Sequence, residues 1–129
     1  LPAECFLVLS YQIYKMAHFL GIFMILAALG GTAFAAMQSE AAKHPWRKVA
    51  AVFHGVGLFL VLLGGFGMLA RLGLVAGLPG WIYGKLALWL LLGAMFFVAR
   101  RRPALARSVW IGSGVLALGA GYLALYKPF

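Results

Sequence analysis

The chain is 129 residues long, 65% hydrophobic and only 10% charged, with a formal net charge of +9. Soluble domains run about 45–50% apolar and about 25% charged, so this composition excludes an ordinary water-soluble fold and leaves room for one compact bundle. The positive charge sits between the apolar runs, where membrane topology needs it, so no nucleic-acid partner is expected.

Residues 1–15 form a mixed lead-in carrying Glu4, Tyr11, Tyr14 and Lys15. It is apolar enough either to extend the first helix or to lie in a membrane interface. Cys5 is the only cysteine, so no disulfide within the chain is expected, and the bulky acid before it makes a poor lipoprotein cleavage site. The sequence starts at Leu1 without Met and is expected to be trimmed or partial; no signal peptide is read in it.

Four apolar runs follow: 16–37, 49–70, 81–99 and 104–126. A helix rises ~1.5 Å per residue, so each run spans a ~30 Å hydrocarbon layer. The predicted fold is therefore all-α: a single transmembrane domain over 1–129, built as an integral membrane antiparallel four-helix bundle. Its surroundings are the lipid bilayer. The first connector holds Lys43, His44, Pro45, Trp46, Arg47 and Lys48, with Pro45 placed to end one helix and open the next. The second, 71–80, is glycine-rich and closes on Leu78-Pro79-Gly80. The third is Arg100-Arg101-Arg102-Pro103, with Pro103 suited to the first turn of the fourth helix.

Lys43, Arg47, Lys48, Arg100, Arg101, Arg102 and Arg107 share one side of this threading, against Lys15, Arg71, Lys85 and Lys127 on the other. The denser side reads as cytoplasmic, which puts both termini in the periplasm of a bacterial inner membrane. Tyr11, Tyr14, Trp81, Tyr83, Tyr122 and Tyr126 fall at the outer boundary, as an aromatic belt should. Trp89 sits deeper and reads as a packing or lipid-facing ring. Small residues recur at four-residue spacing in Ala27-Gly31-Ala35 and Ser113-Ala117-Gly121, and glycines pepper the second helix at 57, 64, 65 and 67. Such ridges serve internal helix packing or a second membrane subunit.

The chemistry available is narrow. Glu4 and Glu40 are the only carboxylates and neither lies in a span, so carboxylate acid–base pairs, hydrolytic triads and carboxylate ion relays lack their parts. No histidine pair at helical spacing and no cysteine cluster suggests zinc or copper. His18, His54 and Lys85 remain as ionisable groups at membrane depth, tentative contacts to a haem, lipid or pigment. A neutral imidazole can ligate haem iron. His18 lies ~5 Å below the outer boundary and His54 ~9 Å above the inner one, leaving an axial gap of ~15 Å that disfavours both on one iron. Lys85 falls near the level of His18, so these two either line one outer-leaflet site or, respectively, snorkel and bond a neighbouring helix. His54 reads as a separate ligand or hydrogen-bonding group, and His44 as solvated.

Lys15-Met16-Ala17-His18 in the first helix and Trp81-Ile82-Tyr83-Gly84-Lys85 opening the third resemble small bacterial membrane proteins of the SirB-like and HemJ-like (protoporphyrinogen oxidase) families and the CopD-like copper-resistance domains. The HemJ-like resemblance implies b-type haem and porphyrinogen oxidation, with His18 and Lys85 matching that family's functional residues. The chain departs from it after His18, where no tryptophan or Leu-Pro-Arg continuation follows. Phe53–Leu58, Gly65–Arg71 and Tyr126–Phe129 look like the corresponding segments of a further group of small four-helix bacterial membrane proteins. The expectation drawn from all this is a non-catalytic accessory subunit of a bacterial membrane complex, bound to other membrane subunits. The alternative is a haem b- or porphyrin-binding redox protein using His18 and Lys85.

Overall fold

A computed structural model describes residues 3–38 and 43–129, with side-chain surroundings from Tyr11 onward. Glu40 and the side chains of Glu4 and Cys5 lie outside the described residues. Those residues are helical throughout their regular structure: α1 (Ala3–Met37), α2 (Arg47–Arg71), α3 (Gly80–Arg101) and α4 (Ala106–Tyr126), with a 3-10 turn at Pro103–Leu105 leading into α4. All four helices are long and apolar enough to cross a membrane.

The lead-in turns out to be helix. No glycine or proline interrupts residues 3–20, so α1 runs on without a break for 35 residues. At the first connector, α2 begins two residues later than Pro45. Pro45 lies in the turn before it, and exposed His44 accepts the Trp46 backbone N–H on Nδ1 at 3.2 Å. α2 ends on glycine, as its sequence suggests. Gly73 has φ +72°, the Gly73 N–H donates to Ala70 O and the Leu74 N–H donates to Leu69 O. That left-handed turn satisfies two carbonyls a helix end otherwise leaves open. Pro103 opens a 3-10 turn rather than α4 itself.

α1 is the hub, touching all three other helices, whereas α2 and α3 scarcely meet and α2 does not reach α4. The α1–α2 seam is made by glycine. A Cβ on Gly21 would lie 2.7 Å from Gly57 O, and one on Gly64 would lie 2.5 Å from Tyr14 O and 2.6 Å from His18 N. Backbones approach this closely only where no side chain intervenes, which is how helices associate without a hydrophobic drive. Contacts pair rising numbers in α1 with falling numbers in α2: Tyr14 with Gly67, His18 with Gly64, Ile25 with Gly57. The α3–α4 contacts do the same, with Gly84 on Leu123, Leu88 on Gly119 and Met95 on Gly112.

Packing is uneven along the molecule. At one end Ile25, Ala28 and Leu29 of α1 close against Phe96 and Ala99 of α3 and Val109 of α4. Ala33 and Ala36 then meet Ala106. Alanines let three helices converge there. The ridge 27–31–35 is not part of this core: Ala27 and Gly31 face outward, and a Cβ on Gly31 would meet nothing within 4 Å. Towards the other end the helices diverge, and that divergence makes the site.

Candidate functional site

A cavity of about 500 Å³ opens between the four helices at the end away from the alanine core. Pockets of about 300–1,000 Å³ hold small molecules and cofactors. Two features of sequence leave the space unfilled. α2 and α3 stay apart, and α4 presents only Ala117, Ala120, Gly121 and Ala124 as its small lining residues. The wall is mainly apolar, contributed by residues such as Ile22, Val61, Leu69 and Leu88. Its polar members are Tyr11, Lys15, His18, Trp81, Lys85, Trp89 and Lys127.

His18 is held by the glycine seam. Gly64 lets the α1 backbone come in, and Gly65 leaves the imidazole lying against α2, where a Cβ would sit 3.5 Å from Cε1 and Nδ1. The ring is 7% exposed. Its Nδ1 donates to the Val61 carbonyl at 2.9 Å. A carbonyl only accepts, so Nδ1 carries the proton and a neutral ring has its lone pair on Nε2. No buried side-chain nitrogen lacks a partner, and Nε2 has none among the described residues. It therefore reaches open space, and the space His18 lines is the cavity.

Lys85 lines the same cavity, half-buried. His18 and Lys85 thus line one cavity. His54 does not join them. That side chain is 3% exposed, stacks on Phe96 at 4.5 Å and 16°, and donates Nε2–H to Leu92 O at 3.3 Å. Arg100 lies over the Phe96 ring at 5.1 Å. His54 is a helix-to-helix link, one of two between α2 and α3.

The other link is Trp89, whose indole N–H donates to Leu58 O at 3.1 Å. Sequence reasoning read this ring as a packing or lipid-facing one. It also missed Lys15 and Lys127 as neighbours of the site. Lys15 precedes His18 by three residues and so shares its helix face, a signal that was present in the spacing. Lys127 reaches the cavity through the chain's last turn. It adopts φ +47°, its ammonium lies 5.3 Å from the Trp81 ring, and Phe129 O accepts the Trp81 N–H at 3.2 Å. That last bond satisfies a donor at the start of α3 which the helix itself cannot.

Comparison of the chain with protein-family models, with curated proteins and with solved structures returns no match.

Proposed function

We propose that this chain is an integral membrane protein, an antiparallel four-helix bundle of a bacterial inner membrane, that holds haem b or a related porphyrin in the cavity beside His18. The observation that carries the reading is the fixed tautomer of His18. A backbone carbonyl takes Nδ1–H and leaves Nε2 as an acceptor at the cavity, the arrangement by which an outer partner orients a metal-binding imidazole. The surroundings suit the group: an apolar space of adequate volume with Trp89, Trp81 and three lysines among its lining residues. His54 is committed to Leu92, so His18 is the chain's one imidazole for an iron here.

Bound haem supplies one-electron chemistry whose potential follows its axial ligand and burial. The chain itself orients the imidazole, keeps bulk water away with aliphatic walls and holds positive charge near the rim. The likeness to HemJ-like proteins, carried by Lys15, His18, Trp81 and Lys85, points the same way.

Membrane insertion is supported by four apolar helices of sufficient length. In this orientation Lys43 and Arg101 face the cytoplasm and the cavity opens near the outer leaflet. α1, at 35 residues, is about 50 Å long and overruns the hydrocarbon layer at its start. A second reading, as an accessory subunit of a larger membrane complex, is favoured by the outward stripe of Ala27 and Gly31, where a neighbouring helix could approach closely.

The test is an absorption spectrum of the protein purified from haem-replete cells. The expected result is a Soret band in the wild type that His18→Ala abolishes and His54→Ala leaves in place. No Soret band in correctly folded wild type, or one indifferent to His18, overturns the haem reading.

A further inference from the structure

We propose that Lys15, Lys85 and Lys127 form an acid-recognition rim, so that the cavity takes carboxylate-bearing amphiphiles and, among porphyrins, prefers the free diacid to its ester. This rests on the reading of the cavity as a porphyrin site and names what that site selects.

Three lysines from three separate parts of the chain line one mainly apolar cavity. Lys15 stands one turn before His18 on α1, Lys85 stands one turn after Trp81 on α3, and Lys127 follows the last turn of α4. Like charges brought together beside an apolar wall repel and lose hydration. Aromatic faces compensate for only part of this: Lys127 lies against Trp81 at 5.3 Å and Lys15 over Phe19 at 6.0 Å.

Glu4 stands eleven residues before Lys15 in α1, about 16 Å along the helix axis. An incoming anion would supply negative charge beside the three lysines. Lys15 stands about 4.5 Å farther out along α1 than His18, Lys85 stands near the level of His18, and aliphatic side chains line most of the remaining wall. A molecule with acid groups on one edge and an apolar body would place the acids on the lysines and its body beside the imidazole. Charge-assisted hydrogen bonds of this kind are among the stronger polar contacts available.

The experiment titrates the full chain, purified in lipid nanodiscs, with haem b and with haem b dimethyl ester, following the Soret shift and tryptophan quenching. The expected result is that the ester binds about tenfold or more weakly. Lys85→Gln and Lys127→Gln should each weaken haem b about fivefold to tenfold and leave the ester's affinity unchanged. Lys127 is exposed and follows α4, so its variant tests the rim without removing a helix-packing side chain. Equal affinity for acid and ester, with neither variant altering the difference, overturns the rim and leaves the porphyrin site standing. If neither porphyrin binds, the functional reading fails instead, and displacement of a fluorescent long-chain fatty acid decides the rim by itself. Fatty-acid binding that weakens in Lys85→Gln upholds acid recognition; no binding overturns it.

Discussion

Gly64→Ala should destabilise the protein far more than the same change at Gly31, although both glycines sit in helix interiors. At Gly64 the new methyl would lie 2.5 Å from Tyr14 O, 2.6 Å from His18 N and 2.7 Å from His18 Cβ. Two of these atoms are backbone, so no rotamer change relieves the overlap. Restoring ordinary contact means moving α1 off α2 by roughly 1 Å, an overpacking cost of about 1–3 kcal/mol. At Gly31 the methyl meets nothing within 4 Å. Alanine's better helix propensity, about 1 kcal/mol, applies to both variants and cancels from the comparison. The difference between them is then about 1–3 kcal/mol, or roughly fivefold to 150-fold in the folding equilibrium. Unfolding of each variant by increasing SDS in mixed micelles, followed by tryptophan fluorescence, measures it. Gly64→Ala should also stretch the 2.9 Å bond from His18 to Val61 and loosen the imidazole. If the two variants unfold together, the close α1–α2 approach is not what holds this molecule.

The two links between α2 and α3 make separate predictions. Trp89→Phe keeps the ring but removes the donor to Leu58 O, and should cost about 0.6–1.5 kcal/mol in the same assay. No loss would mean the indole N–H is dispensable. His54→Ala removes both the bond to Leu92 O and the stack on Phe96, and should cost roughly 2 kcal/mol. A smaller loss than for Trp89→Phe would contradict the buried link assigned to His54.

Helix number, type and approximate limits were legible because each apolar run is long and bounded by proline, glycine or arginine. The pairing of His18 with Lys85 was legible too, since depth follows from residue counting along helices that enter from one side. Three things were not. Small-residue ridges occur on several faces of helices this rich in alanine and glycine, so spacing drew attention to 27–31–35, which faces outward, and passed over Gly21, which meets Gly57. Which ridge packs depends on the neighbour's matching glycine, a property of two helices at once. Trp89 gave no hint of its partner, because a helix carbonyl open to a second donor has no sequence signature. The cavity itself arises from the gap between α2 and α3, which nothing in the composition of either helix signals.

The account depends most on the chain crossing the bilayer four times with its basic connectors on one side. Single cysteines at Lys43, Gly77 and Arg101, each in a Cys5→Ser background, can be probed in intact cells with a membrane-impermeant maleimide. Gly77→Cys should label from outside, while Lys43→Cys and Arg101→Cys should label only once the inner membrane is opened. Labelling of positions 43 and 101 from opposite sides would contradict the threading and remove the shared level at which His18 and Lys85 meet.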